Sequence, residues 1–590
     1  MCGIAGIYHV DGNSPDLAGV EAMTRVLAPR GPDASGILAR DRIAFGHRRL
    51  KVIDLTDHAQ QPMSDPELGL DLVFNGCIYN YPELREALQG LGYRFFSTGD
   101  TEVVLKALHA WGPQAVERFN GMFAFAAYDR DSGRLLLARD RLGIKPLYVA
   151  RSEGRIAFAS TLPALLAAGG VDTEIDPVAL NHYMSFHAVV PAPRTILNGV
   201  RKLPPATLRT YGPDGTEESR TYWQLRVGAG EDDRNIGEDE WRERLLESLR
   251  SAVRRRMVSD VPVGVLLSGG VDSSLIVGLL AEQGQVGLNT FSVGFEAVGD
   301  EEGDEFRYSD LIAETFGTAH HKIRVPTSVL LEHLPATIAA MSEPMVSHDN
   351  VGFYLLAQEV SRHLKVVQSG QGADEVFGGY HWYPPMLEST SPVEDYLAAF
   401  ADRDFAEYRE VISSRWVKED YAREFVESRF GSGTADTAVD KALHVDTTVM
   451  LVDDPVKRVD NMTMAWGLEA RVPFLDHELV ELAGRIPASL KVREGGKYIL
   501  KEAARQVIPA EVIDRPKGYF PVPELKYIRG TVYDYVRDTL DSSRARNRGI
   551  FDRAWTERLL DAPDDHITPL QGSKLWQVAL LELWLQTNEI

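Results

Sequence analysis

Cysteine is almost absent: two residues, Cys2 and Cys77, in 590. That excludes a disulfide framework and a four-ligand zinc site, and makes a reducing cytoplasm the expected compartment. Long apolar runs are also absent. The longest uncharged stretch, Pro177 to Pro193, is interrupted by Asn181, two histidines and three prolines, so no membrane span is expected. The start of the chain lacks a basic segment followed by an apolar one, as a secretory leader would have. Positive charge is scarce relative to negative, 63 Lys+Arg against 86 Asp+Glu, a formal net charge of −23. A surface so acidic argues against binding nucleic acid or an anionic membrane through a general basic face. Small-molecule substrates remain, and a homodimer is compatible. What is present, 44% apolar and 25% charged residues, is the composition of a folded globular chain with room for two or three domains.

Two kinds of patterning divide the chain. Residues 1–215 read as short strands (within Arg42–Asp54, and at Leu70–Phe74, Met122–Tyr128, Arg134–Ala138 and Arg155–Ser160) with helices near Pro82–Leu91 and Thr101–Trp111. Strands with few helices and no regular alternation predict an α+β layered domain. Residues 216–240 are polar and read as a linker. From 241 to 590, after a long amphipathic helix, the near-continuous apolar run Val261–Leu267 predicts a strand buried on both faces, as in a parallel sheet. Alternating helices and strands follow (Asn289–Phe295, His321–Val325, Leu364–Gln368), then mostly helix: an α/β domain with a helical C-terminal part.

Cys2 becomes residue one if Met1 is excised. Its thiol would then sit beside its own α-amine, which, with a pKa of about 7.7–8.0, can accept the thiol proton directly or through water. Met1-Cys2-Gly3-Ile4, Arg30-Gly31-Pro32-Asp33, Arg49-Leu50, Asn75-Gly76-Cys77-Ile78-Tyr79-Asn80, Gly99-Asp100 and the stretch from Ala138 to Tyr148 together resemble the glutaminase domain of class II glutamine amidotransferases, an N-terminal-nucleophile hydrolase fold. The resemblance implies that Cys2 attacks the glutamine amide, and that Asn75 and the Gly76 N–H hold the oxyanion. It implies that Arg49, with Leu50, Lys51, Val52 and Ile53, receives the α-carboxylate end, and that Asp100 receives the α-ammonium. The family usually has Glu where this chain has Cys77, which flanks the bound glutamine.

In the second half, Ser268-Gly269-Gly270-Val271-Asp272-Ser273-Ser274 lies between the buried strand and a helix. Glycines there admit a phosphate to backbone N–H groups, the helix start adds positive potential, and Asp272 can hold Mg²⁺. No Gly-Lys-Ser/Thr follows, so this is not a Walker A loop. It resembles the pyrophosphate loop of ATP pyrophosphatases. With the loop Ser369 to Tyr380, Glu469-Ala-Arg-Val-Pro-Phe-Leu-Asp476, Gly496-Lys497 and Arg515-Pro516-Lys517, the chain resembles asparagine synthetases over about 1–220 and 245–525. By that resemblance Leu267, Ser268, Gly269, Gly270, Asp272, Ser273, Val293, Ser369 and Gly370 hold ATP. Asp272 and Asp374 bind Mg²⁺, and Lys497 neutralises the departing pyrophosphate. Arg471 and Asp476 are read as a structural pair outside the site. The last ~60 residues offer no motif.

Gln371 replaces the Glu of the family's Ser-Gly-Glu-Gly loop, and Asp460-Asn461-Met462 replaces Asp-Arg-Met. His187 to Arg194, the Gln371 loop with His381-Trp382-Tyr383, and the length resemble the N-acetylglutaminylglutamine amidotransferase subgroup. The expected reaction is acyl-adenylate formation followed by amidation with glutamine-derived ammonia. The alternatives are asparagine synthetase, a ring-closing synthetase and an inactive regulatory homologue. Intact Cys2, Asn75 and Asp100 speak against the second, and the intact Ser268–Ser273 loop against the third.

Overall fold

The computed structural model describes residues 1–295, 304–515 and 528–590. Pro516 and Lys517 lie outside the described residues. In the first half two six-stranded antiparallel sheets pack face to face. One runs Val200–Lys202, Tyr148–Ser152, Arg155–Ala159, Gly3–His9, Ile43–Arg49, Ala34–Arg40. The other runs Glu217–Thr221, Thr207–Tyr211, Arg134–Arg139, Gly121–Asp129, Leu70–Ile78, Met63–Asp65.

Side-chain alternation assigns the faces. Ile4 and Tyr8 meet Val73, Ala124 and Ala126 between the sheets. Ala5 and Ile7 point the other way, onto Val20 and Met23 of the helix Leu17–Val26. Leu72 and Phe74 face the helices Tyr81–Gly90 and Asp100–Trp111. The result is a helix–sheet–sheet–helix sandwich, and strands covered on both sides explain the unbroken burial of Gly3–Tyr8. All five expected strands and both helices are present: one strand, Ile43–Arg49, lies within Arg42–Asp54, and the other elements have ends shifted by up to four residues. The expected linker is shorter than 216–240, because Glu217–Thr221 pairs with Thr207–Tyr211 as an edge strand and the next long helix starts at Glu238.

That helix, Glu238–Arg255, carries acids in its first turn and Arg254 and Arg255 in its last, matching the helix dipole at both ends. Trp241, Leu245, Leu249 and Ala252 form its buried stripe. It packs beside a five-stranded, wholly parallel sheet ordered Ala319–Val325, Asn289–Phe295, Val263–Leu266, Val366–Gln368, Glu469–Arg471. The strand that comes first in the chain lies at the centre, so the order reverses between Val263–Leu266 and Val366–Gln368. A crevice at the strands' carboxyl ends is expected at that switch point. The strand Glu469–Arg471 was not foreseen; three residues are too few to show a period.

The two halves are joined through buried charge. Asp460 takes Arg30 Nη1 at 2.8 Å and Lys145 Nζ at 2.9 Å. Glu343 and Asp453 take Lys202 at 3.2 and 2.8 Å, and Tyr148 donates to Glu343 at 3.1 Å. The terminal helix Lys574–Thr587 is buried along most of its length. Its Trp576 and Trp584 donate to the Val346 and Met341 carbonyls, and Gln577 exchanges hydrogen bonds with Tyr183 of the first half. The motif-free end of the chain is therefore structural core. Among the described residues no helix is long and apolar enough to cross a membrane.

Candidate active sites

Two strands from facing sheets bring the first site together. Cys2 precedes Gly3–His9, and Asn75, Gly76 and Cys77 lie in the second half of Leu70–Ile78. The Cys2 N–H donates to Asn75 Oδ1 at 3.0 Å, which fixes the amide's orientation and leaves Asn75 Nδ2 buried without a partner. A buried, unspent N–H beside the nucleophile is what a developing oxyanion needs. At Gly76 any Cβ would strike the Met122 carbonyl on the adjacent strand, so this position must be glycine for the strands to pair.

A cavity of about 30 Å³ is lined by Cys2, Arg49, Leu50, Val52, Ile53, Gly76, Cys77 and Asp100, with Met1 beside them. Lys51 does not join them; its Nζ pairs with exposed Asp57 at 3.0 Å. Arg49 lines the cavity and also braces the loop after it, donating to the Thr56 carbonyl (2.7 Å) and to that of Asp54. Asp100 accepts from the Ile78 N–H at 3.0 Å, and burial raises its pKa to about 6. Burial likewise pushes the Cys2 thiol up, opposed by the nearby terminal ammonium, and pushes Cys77 up strongly. His47, fully buried and donating from Nε2 to the Phe74 carbonyl, is held down to about 3 by burial and is too weak a base to serve Cys2.

Two lining residues come from the other half of the chain, Glu469 and Arg471. Arg471 pairs with Glu469 at 2.6 Å and not with Asp476, which instead holds Arg256 at 2.9 Å and Arg255 at 3.3 Å. The expected Arg471–Asp476 pair is therefore wrong: alternation along the three-residue strand places Glu469 and Arg471 on one face. Arg30 is a further residue that sequence reasoning left unassigned. Its Nε donates to the Cys2 carbonyl at 3.2 Å while its Nη1 holds Asp460.

The second site lies at the sheet's switch point. The loops after Val263–Leu266 and Val366–Gln368 touch: a Cβ on Gly370 would come within 3.0 Å of Asp272 Cβ. Ser268 and Ser273 hydroxyls meet at 3.0 Å and stiffen the first loop ahead of helix Val271–Glu282. Leu267 N donates to the Phe291 carbonyl at 2.7 Å, which ties the loop to the strand that carries Val293. Lys497 Nζ stands between the two acids, 2.7 Å from Asp272 and 2.9 Å from Asp374. Its backbone is left-handed, φ +57°, directly after Gly495 and Gly496, also at positive φ. A non-glycine residue held there is a strained position, of the kind that clusters at functional sites. A side chain at Gly379 would press on the ends of both Asp374 and Lys497 and displace them.

Two carboxylates converging on one cation suit Mg²⁺, which takes one or two protein carboxylates and completes its shell with phosphate and water. Beside them Glu375 is buried, accepts from the Tyr380 hydroxyl at 2.7 Å, and has its pKa raised to about 7, by burial first and Asp374 next. Of the Arg515 motif, Arg515 itself is bidentate to Glu305 at 2.8 and 3.0 Å. Apolar packing runs continuously from one site to the other: Met1, Cys77, Met122 and Ile144 belong to the same buried cluster as Leu267, Ala373, Val449 and Leu475.

A family model described as Glutamine amidotransferase domain matches residues 1–223, and one described as Asparagine synthase matches residues 244–586. Glutamine-hydrolyzing asparagine synthetase 1 of Bacillus subtilis is 31% identical over 100% of this chain and 97% of its own length. Glutamine-hydrolyzing asparagine synthetase 3 of the same organism is 30% identical over 95% and 93%. Amidase chry2 of Gibberella zeae is 27% identical over 95% of each. The solved glutamine phosphoribosylpyrophosphate amidotransferase of B. subtilis covers 55% of this chain and 81% of its own at 15% identity and a TM-score of 0.30, too slight a likeness to argue from.

Proposed function

This chain belongs to the asparagine synthase family as an ATP-dependent, glutamine-hydrolysing amidotransferase, and from that premise we propose that its acceptor is the C-terminal carboxylate of N-acetylglutaminylglutamine. The observation behind this reading is the loss of charge at two positions. Gln371 is a neutral amide at the head of the second loop. Asn461 is buried and accepts from the Ser342 N–H at 2.6 Å, next to a Glu343 already balanced by Lys202 and Lys457. Aspartate presents an ammonium and two carboxylates, and would need fixed charges to meet them. The acetylated dipeptide presents amides and one carboxylate, which an amide side chain can match by hydrogen bonding. The competing reading, L-aspartate as acceptor, draws on end-to-end similarity to proteins named asparagine synthetase.

In the first site, excision of Met1 would free the Cys2 amine to take the thiol proton. The thiolate adds to the glutamine amide carbon, Asn75 Nδ2 and the Gly76 N–H meet the oxyanion, and ammonia leaves as the thioester forms. Water then releases glutamate. In the second site, the acceptor carboxylate displaces pyrophosphate from the α-phosphorus of ATP to give acyl-AMP. Lys497 compensates the negative charge that gathers on pyrophosphate. Asp272 and Asp374 would hold Mg²⁺, which would neutralise phosphate charge. Ammonia attacks the acyl carbon and AMP leaves. The apolar cluster between the sites would keep ammonia unprotonated in transit. The deciding experiment is acceptor-dependent pyrophosphate release with ATP, Mg²⁺ and glutamine. Release with the dipeptide and none with aspartate is the expected result, and the reverse would make this chain an asparagine synthetase.

A further inference from the structure

The pocket around Cys2 is not closed by the glutaminase half alone. Glu469 and Arg471, on the edge strand of the other half's parallel sheet, line it beside Cys77 and Asp100. Glu469 is 1% exposed. Its Oε1 takes Arg471 Nε at 2.6 Å, and its Oε2 takes the Met1 ammonium at 2.7 Å. Arg471 spends Nη1 on the Arg256 and Val258 carbonyls, both at 2.7 Å, while its Nη2 is buried with no partner. Cys77 lies among these groups, fully buried, and burial pushes its thiol far up, so it carries no charge there.

The unprocessed chain thus places a free amino-acid ammonium inside this pocket, on a carboxylate from the opposite domain. Met1 is itself 2% exposed, and methionine is close to glutamine in length and volume. Excision of Met1 would vacate that space and remove the cation from Glu469 Oε2. A buried carboxylate that loses a partner is strongly destabilised until another cation replaces it. Asp100 is a poor sole partner for an ammonium, because burial holds its pKa near 6 and one oxygen is committed to the Ile78 N–H. The Met1 ammonium first and Arg471 next hold the Glu469 pKa down, and after excision Arg471 still grips its other oxygen.

We propose that Glu469 is the second carboxylate of the glutamine site: after Met1 is removed it holds the substrate's α-ammonium, in place of the acid that position 77 lacks. This rests on the glutaminase reading above. It also ties the two active sites together mechanically. The Ser369 N–H, at the start of the nucleotide loop, donates to the Arg471 carbonyl at 2.8 Å, so the strand that meets glutamine also braces the loop expected to meet ATP.

The test compares Glu469→Gln with the parent chain, both with Met1 removed. It uses L-glutamine, the des-amino analogue glutaramate, and ammonia as nitrogen sources. Loss of a charge-assisted buried contact should raise KM for glutamine about 10–100-fold with kcat for hydrolysis little changed. The parent's preference for glutamine over glutaramate should shrink by a similar factor. The double variant Cys77→Glu/Glu469→Gln should regain most of both. A Glu469→Gln chain with the parent's KM and the parent's preference would overturn the proposal. If that variant has also lost ammonia-driven product, and so its fold, Glu469→Asp replaces it. It keeps the charge against Arg471 but withdraws it by one methylene. A rise in KM of about 3–10-fold supports the proposal and an unchanged KM overturns it. A parent chain that hydrolyses no glutamine at all would strike the glutaminase reading itself, a result distinct from either.

Discussion

Each of the two sites is organised around a buried ammonium gripped by carboxylates, and the two ammonium groups differ in permanence. In the synthetase half it belongs to Lys497, fixed between Asp272 and Asp374 by a left-handed backbone. In the glutaminase half it belongs to Met1, fixed on Glu469. A lysine can be drawn aside by phosphate or metal but returns when they leave. A terminal methionine can be removed once and for all. The first arrangement suits a site that cycles through charged ligands at every turnover. The second leaves Glu469 without that cation once Met1 is removed.

The largest effects should come from separating the sites. Cys2→Ala is expected to lower glutamine-driven product at least 10³-fold while ammonia-driven product survives, and Asp272→Ala to end acceptor-dependent pyrophosphate release while glutamine hydrolysis continues. Product and pyrophosphate assays on the two variants check this; loss of both nitrogen sources in Cys2→Ala would show that the sites are not separate. A middle-sized effect should follow from keeping Met1. Protein produced with methionine aminopeptidase inhibited, and shown by intact mass to retain Met1, should hydrolyse glutamine at least tenfold more slowly and use ammonia normally. Full glutaminase activity in that material would mean that the Met1–Glu469 pair blocks nothing.

The smallest effect concerns the joint between the halves. Arg30 and Lys145 hold Asp460 down to about 2, and the terminal ammonium and Arg471 hold Glu469 down to about 2. Both are depressed carboxylates, so their stabilisation is present above their ordinary values near 4 and is lost as pH falls from there toward 2. Urea midpoints measured between pH 5 and pH 3 should therefore fall more steeply for the parent than for Asp460→Asn, which lacks one of the titrating groups. Equal slopes would mean that Asp460 is not anchored as described.

The sequence made some of this legible for plain reasons. A strand covered on both faces must be apolar at every position, so Val261–Leu267 announces a parallel sheet. A phosphate loop needs small residues between a strand and a helix, so Ser268–Ser274 stands out without any coordinates. Asn75 and Gly76 could be named through the resemblance of Asn75-Gly76-Cys77-Ile78-Tyr79-Asn80 to a known motif, and an N–H donor with a close backbone is what an oxyanion site needs. The Glu469–Arg471 strand could not be found this way. It spans three residues, its Arg471 reads as half of a pair with Asp476, and its partner strand Val366–Gln368 is about a hundred residues earlier in the chain. Asp460 reads only as the first residue of Asp460-Asn461-Met462, yet it serves as the anchor for Arg30 and Lys145.

By itself, then, the sequence supplied the candidate residues of each half, through motifs that resemble a known family: Cys2, Asn75 and Gly76, the loop Ser268–Ser274, and Lys497. Each motif is local, a few consecutive residues on one strand or turn, and so can be read without coordinates. Only the tertiary structure decided which carboxylate faces which ammonium. That depends on groups some 470 residues apart, Met1 and Glu469, being buried against each other. A buried charge is tolerated only where a partner has been brought to it, and bringing it there is the work of the whole fold.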